Sequence, residues 1–175
     1  MQLKQFYPNL KSLWVSTWIH GPQTIKICFQ VNKFAGTIST LFDSPQVYFI
    51  LKGRYLYIGE TQKLSVFRWS DHFRPLGSFS KALDGIDPDV LNDNSEVRFF
   101  LFQCTEFISR CKSSEFKRTT QYLEHILHIK TITHPVLGPK FRIISDTTRT
   151  APTNCVLSDI DNMAQSILQK LVETL

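Results

Sequence analysis

At 175 residues with 42% hydrophobic content and fourteen phenylalanines, the chain is long enough to bury one real core and fits a single compact domain with extensions. A formal net charge of +5 and a pI near 9.1 suit a polyanionic partner. No apolar run approaches a membrane span, the opening MQLKQFYPNL lacks a signal-peptide core, and Cys28, Cys104, Cys111 and Cys155 form no C-x-x-C or zinc-type spacing, so a cytoplasmic protein with reduced thiols and no membrane partner is expected.

Residues 1–45 read as an N-terminal extension with one convincing strand, TIKICFQVN, placed to add to a sheet edge or to cover it. The run QVYFILKGRYLYIG follows, with Gly53-Arg54 between two apolar stretches. Glycine at the first central position of a two-residue loop predicts a type II′ hairpin. That loop pairs Ile50 with Tyr57 and Phe49 with Ile58. Val47, Phe49, Leu51, Leu56 and Ile58 then share an apolar face, and Tyr48, Ile50, Lys52, Tyr55 and Tyr57 share the other. Tyr48 and Tyr57 become diagonal neighbours, whereas a three-residue loop would place them on opposite faces.

Beyond Gly59 the stretch ETQKLSVFRWSDHF lacks glycine and proline, which predicts a helix from near Thr61. Arg68 and His72 stand four apart there, on one helical face, where a guanidinium and an imidazole can approach one phosphate. The loop over 75–96 is rich in Asp, Pro and Gly and is expected to hold a short helix over 79–83 before the strand VRFFLFQC. Tyr122, Leu123, Ile126, Leu127 and Ile129 then repeat at helical spacing, in a predicted helix that also carries Glu115 and Glu124. Basic residues at Lys52, Arg54, Lys63, Arg110, Lys112, Lys117 and Arg118 are candidate phosphate contacts. SDTTRTAPTN reads as a connector. From Ser158 a last helix carries Ile160, Met163, Ile167, Leu168 and Leu171 on one stripe, fit to pack on the core or, as a weaker alternative, to form a homodimer.

The expected architecture is mixed α/β of the α+β type: a small, mostly antiparallel three-stranded sheet flanked by helices. The N-terminal extension covers 1–45, the core 46–135, and a C-terminal connector and helix 136–175.

The order of these features resembles the GIY-YIG nuclease superfamily. QVY at 46–48 stands where that family has GIY, YIG at 57–59 matches in full, and RWSDHF at 68–73 looks like its arginine-and-histidine helix. LEHIL from Leu123 resembles the later helix that carries its metal-binding glutamate, making Glu124 the ligand favoured over Glu115, with Pro135 following. The chain departs from the pattern at Gln46, which replaces a glycine, and at Glu60, where a lysine is more usual. It also has one additional residue between Tyr57 and Arg68, which would rotate the helix by about 100° unless a bulge or loop absorbs it.

The resemblance implies a metal-dependent DNA endonuclease that hydrolyses phosphodiesters with one Mg2+ (or Mn2+). Glu124 would hold the metal. Tyr48 would act as general base or orient the water, with Tyr57, Arg68 and His72 stabilising the phosphorane-like state; which tyrosine takes the proton stays open. With no separate DNA-reading module in view, a restriction-type enzyme is expected. The alternatives are a structure-specific repair or recombination nuclease, and an inactive nucleic-acid-binding or assembly module of the same fold.

Overall fold

The computed structural model describes residues 45–62, 68, 71–73, 76–93, 95, 97–104, 110–146 and 157–175, the side chain of Asn92 excepted, together with the backbone of 13–18 and 24–31. The strands are β1 (Leu13–Trp18), β2 (Thr24–Val31), β3 (Gln46–Lys52), β4 (Tyr55–Thr61), β5 (Val97–Gln103) and β6 (Arg142–Ile143). The helices are α1 (Ser78–Asp84), α2 (Pro88–Asn92), α3 (Phe116–Thr133), α4 (Leu137–Lys140) and α5 (Ile160–Thr174), and a 3-10 turn over Ser113–Glu115 leads into α3. The fold is α+β, as the sequence predicts.

The expected three strands form the centre of the sheet: β3 lies between β4 and β5 and is antiparallel to both. The sheet is nonetheless wider and more mixed than expected. Within residues 45–175 it has four strands in the order β5-β3-β4-β6, because β6 pairs parallel to β4. On the other side β2 runs parallel to β5 and β1 antiparallel to β2, so the TIKICFQVN strand does add to the sheet.

Every residue of β3 is buried, as a central strand covered on both faces must be. On one face Val47, Phe49, Leu51, Leu56 and Ile58 meet Leu123 and Leu127 of α3 and Ala164, Leu168 and Leu171 of α5. On the other, Tyr48, Ile50 and Tyr55 meet Phe73, Phe79 and Leu83. The face that carries the tyrosines is therefore also core. Leu137, Phe141 and α5 join this same core, α5 packing on it as its apolar stripe predicts.

Local signals account for several boundaries. Gly53 has φ +55°, the left-handed region that the first central position of a primed hairpin turn demands. Asp87 caps α2, accepting from Val90 N at 3.2 Å, with Pro88 at the first helical position. Strand β4 runs to Thr61, so the helix does not start there; Arg68 and residues 71–73 are helical.

Candidate active site

The hairpin register pairs Ile50 with Tyr57 and Tyr48 with Gly59, which puts Tyr48 and Tyr57 diagonally on one face, as the two-residue loop predicts. The Tyr48 ring lies across Gly59: a Cβ built there would stand 2.8 Å from Tyr48 Cε2 and closer still to Cζ and the hydroxyl. The glycine of YIG is thus a space requirement of the tyrosine opposite it. Gln46 sits in the regular ladder, paired with Thr61 and Gln103, where no glycine conformation is called for.

Tyr48 is 1% and His72 2% exposed, and the Tyr48 hydroxyl lies 2.5 Å from His72 Nε2. His72 Nδ1 is 2.5 Å from Ser78 Oγ, which is in turn 3.2 Å from the Tyr57 hydroxyl. Burial, reinforced by the Arg68 cation and opposed by Asp71, lowers the His72 pKa to about 4, so the imidazole is neutral near pH 7 and one of its nitrogens must accept. Arg68 also hydrogen-bonds the Tyr48 side chain. A guanidinium only donates, so the phenol oxygen accepts from it; the neutral imidazole donates from one ring nitrogen and accepts at the other, so of Tyr48 and Ser78 one accepts from it and one donates to it. The Tyr48 pKa rises well above its ordinary value, chiefly through burial, then through Tyr57; Arg68 opposes this and Glu124 adds to it.

An open pocket of about 40 Å³ is lined by Tyr48, Tyr57, Gly59, Glu60, Arg68, Glu124, Ser145 and Asp146. Four of the five expected catalytic residues therefore meet in it. The fifth, His72, stands directly behind Tyr48. The additional residue between Tyr57 and Arg68 does not carry Arg68 away from the site. Glu115 lies apart, its carboxylate accepting from Lys112 N at 2.8 Å, so of the two glutamates weighed as metal ligands only Glu124 lines the pocket, which Glu60 also borders.

Ser145 and Asp146 were not anticipated as pocket residues, and Glu60 stood out in the sequence only as a departure from the motif. They gather where β6, two residues long, stops pairing with β4. Gln62 Nε2 donates to Glu60 Oε2 at 3.0 Å and to Thr120 Oγ1 at 2.8 Å, tying the end of β4 to α3. His128, also unanticipated, bridges Glu124 O and Ser145 Oγ; burial lowers its pKa to about 4, with Glu124 O opposing, His125 reinforcing and Asp146 opposing.

Among the expected phosphate contacts, Lys52 is a correction. It is 4% exposed, its ammonium is 2.8 Å from Asp93, and it donates to the carbonyls of Asp93 and Ser95 at 3.1 and 3.3 Å, so it is spent inside the fold. Arg54 is exposed at the hairpin tip, roughly 17 Å along the strand from the Tyr48–Gly59 pair at 3.4 Å per residue. Lys63 falls outside the described residues. Lys112, Lys117 and Arg118 are exposed around the start of α3; Lys117, two turns ahead of Glu124, shares its helical face.

No set of three or more His, Cys, Asp or Glu side chains with ligating geometry occurs among the described residues. A hard divalent cation held through Glu124 would take its other places from water and phosphate. The carboxylate-lined pocket suits the oxygen preference of Mg2+, which keeps several waters and commonly binds through one or two carboxylates. No described helix is long and apolar enough to cross a membrane.

No family model, no curated protein and no solved structure matches this chain. The reading of the site therefore rests on its own residues.

Proposed function

We propose that the protein is a metal-dependent endonuclease of the GIY-YIG type, hydrolysing DNA phosphodiesters at the Tyr48–Tyr57–Arg68–Glu124 pocket. The convergence of those four side chains from β3, β4, the Arg68 helix and α3 on one open pocket carries this reading. The neutral His72 hydrogen-bonded to Tyr48 supports it.

With its pKa raised by burial, Tyr48 is not a phenolate at rest and cannot act as a base alone. It works as a relay. As the attacking water forms its bond to phosphorus, it passes a proton to the Tyr48 oxygen, and the phenol proton moves to His72 Nε2. The P–O bond to the leaving strand breaks on the far side, and that oxygen takes its proton from solvent. A phosphate seated beside Arg68 offsets part of the cationic field that holds His72 down, so substrate itself makes the imidazole a better acceptor. Arg68 donates to the equatorial oxygens, where charge accumulates, and Tyr57, held by Ser78, orients the phosphate. A bound Mg2+ or Mn2+ on Glu124 would supply Lewis-acid stabilisation of charge on the phosphoryl and leaving oxygens.

Incubation with plasmid, flap and junction DNA, with and without Mg2+, tests the proposal. Cutting that requires metal and is lost in Tyr48→Phe supports it, and the substrate preferred separates a restriction-type from a structure-specific enzyme. DNA binding without cutting on any substrate would favour the binding-module reading.

A further inference from the structure

Strand β6 pairs with β4 only as far as Leu56, whose carbonyl accepts from Ile144 N at 2.9 Å. The next amide of β4 on that side belongs to Ile58, which is wholly buried and would be costly to leave unpaired. Ser145 Oγ accepts it at 3.1 Å. The Ser145 hydroxyl lies 2.6 Å from His128 Nε2, and His128 Nδ1 lies 2.9 Å from the Glu124 carbonyl. A carbonyl can only accept, so Nδ1 carries the proton, Nε2 accepts, and Ser145 donates to it. Each partner is thereby fixed in a single direction, and both His128 and Ser145 are buried.

We propose that His128 and Ser145 are positioning residues that hold α3, and with it the backbone at Glu124, at the right distance from Tyr57 and Gly59, which flank Ile58 on β4. The chain Ile58–Ser145–His128–Glu124 spans the gap between the helix that brings the metal-binding carboxylate and the strand that brings the tyrosine. Gln62, donating to Thr120 Oγ1 at 2.8 Å, ties the same helix to the end of the same strand. This rests on the nuclease reading of the same site.

The test is Mn2+ affinity, measured by electron paramagnetic resonance without DNA, alongside the Mg2+ dependence and KM of cleavage. It is applied to wild type, His128→Leu, His128→Gln and Ser145→Ala. Loss of a partner bonded directly to a metal ligand typically costs about 10- to 100-fold in affinity or activity, and His128 and Ser145 act through the backbone, so about 10-fold is expected here. His128→Leu and Ser145→Ala should each weaken Mn2+ binding and lower kcat by that order with KM for DNA unchanged, their double variant should be no worse than either, and His128→Gln, which keeps an acceptor for Ser145, should recover most of the loss. Should His128→Leu fail to fold, Ser145→Ala and His128→Gln carry the test. Folded variants with wild-type Mn2+ affinity and kcat would overturn the positioning role while leaving the nuclease intact. A wild type that neither binds Mn2+ nor cuts would instead overturn the nuclease reading, and this inference with it.

Discussion

Gly59→Ala should cost both stability and activity, for a reason confined to one contact. Gly53 is the glycine with positive φ among the described residues, so the backbone at Gly59 accepts alanine; the obstacle is the Tyr48 ring. The added carbon would stand 2.8 Å from Cε2, against the 3.5–4.0 Å of an ordinary carbon contact, so the ring must retreat by about 1 Å. Tyr48 is 1% exposed and packs with Phe73, Phe79 and Leu101, which leaves little room to retreat. Overpacking of this kind costs about 1–3 kcal/mol, or a Tm lowered by roughly 2–12 °C for a chain of this size. A shift of about 1 Å would also stretch the 2.5 Å contact with His72 to the edge of hydrogen bonding, and cleavage should fall with it. Thermal unfolding followed by circular dichroism reads the first effect, and plasmid cleavage reads the second. In a Tyr48→Ala background the ring is absent, so Gly59→Ala should be neutral or stabilise by a few tenths of a kcal/mol. Equal cost in both backgrounds, or an unchanged Tm in the single variant, would refute the contact and the register behind it.

Stability should also depend on pH in a stated direction. His72 and His128 have folded pKa values of about 4, below the unfolded value of about 6.5. Between about pH 6.5 and 4 the unfolded chain therefore binds more protons, so stability is fully present above about pH 6.5 and is lost as pH falls, with a slope approaching about 1.4 kcal/mol per pH unit for each histidine. Urea unfolding between pH 7 and 5 checks this, and a flat profile would contradict it. Lys52→Met should leave DNA affinity and its salt dependence unchanged, since the ammonium is buried against Asp93 and Ser95. Lys117→Ala, by contrast, should weaken binding by a similar factor on every sequence and reduce the salt slope by about 1. A filter-binding titration across salt concentrations separates the two, and a Lys52→Met effect as large as that of Lys117→Ala would reverse the assignment.

The hairpin was legible because one glycine-bearing dipeptide sets the loop length, and loop length sets which face each tyrosine takes. Arg68 and His72 were legible for a similar reason, since four residues on a helix is a contact distance. What escaped the sequence depends on contacts made at long range. Lys52 looks like any strand lysine beside an exposed turn, yet Asp93 and Ser95, more than forty residues on, close over it. A two-residue strand such as β6 leaves no periodic signal, so neither the added strand nor the pocket edge formed where it stops could be anticipated; Ser145 and Asp146 went unnoticed with it, and Glu60 stood out only as a departure from the motif. His128 sits between Leu127 and Ile129 and reads as an ordinary helical position. Its partner Ser145 lies in a stretch that reads as a connector.

The central claim is that the Tyr48 oxygen and the Glu124 carboxylate act together on a metal-activated phosphodiester. Mg2+-dependent cleavage of plasmid and branched DNA by wild type, Tyr48→Phe and Glu124→Ala, each shown to be folded, tests it most directly. Cutting by wild type that both substitutions abolish, and that chelation of the metal also stops, is the predicted result. Undiminished cutting by either variant, or binding of DNA by wild type with no cleavage on any substrate, would contradict it.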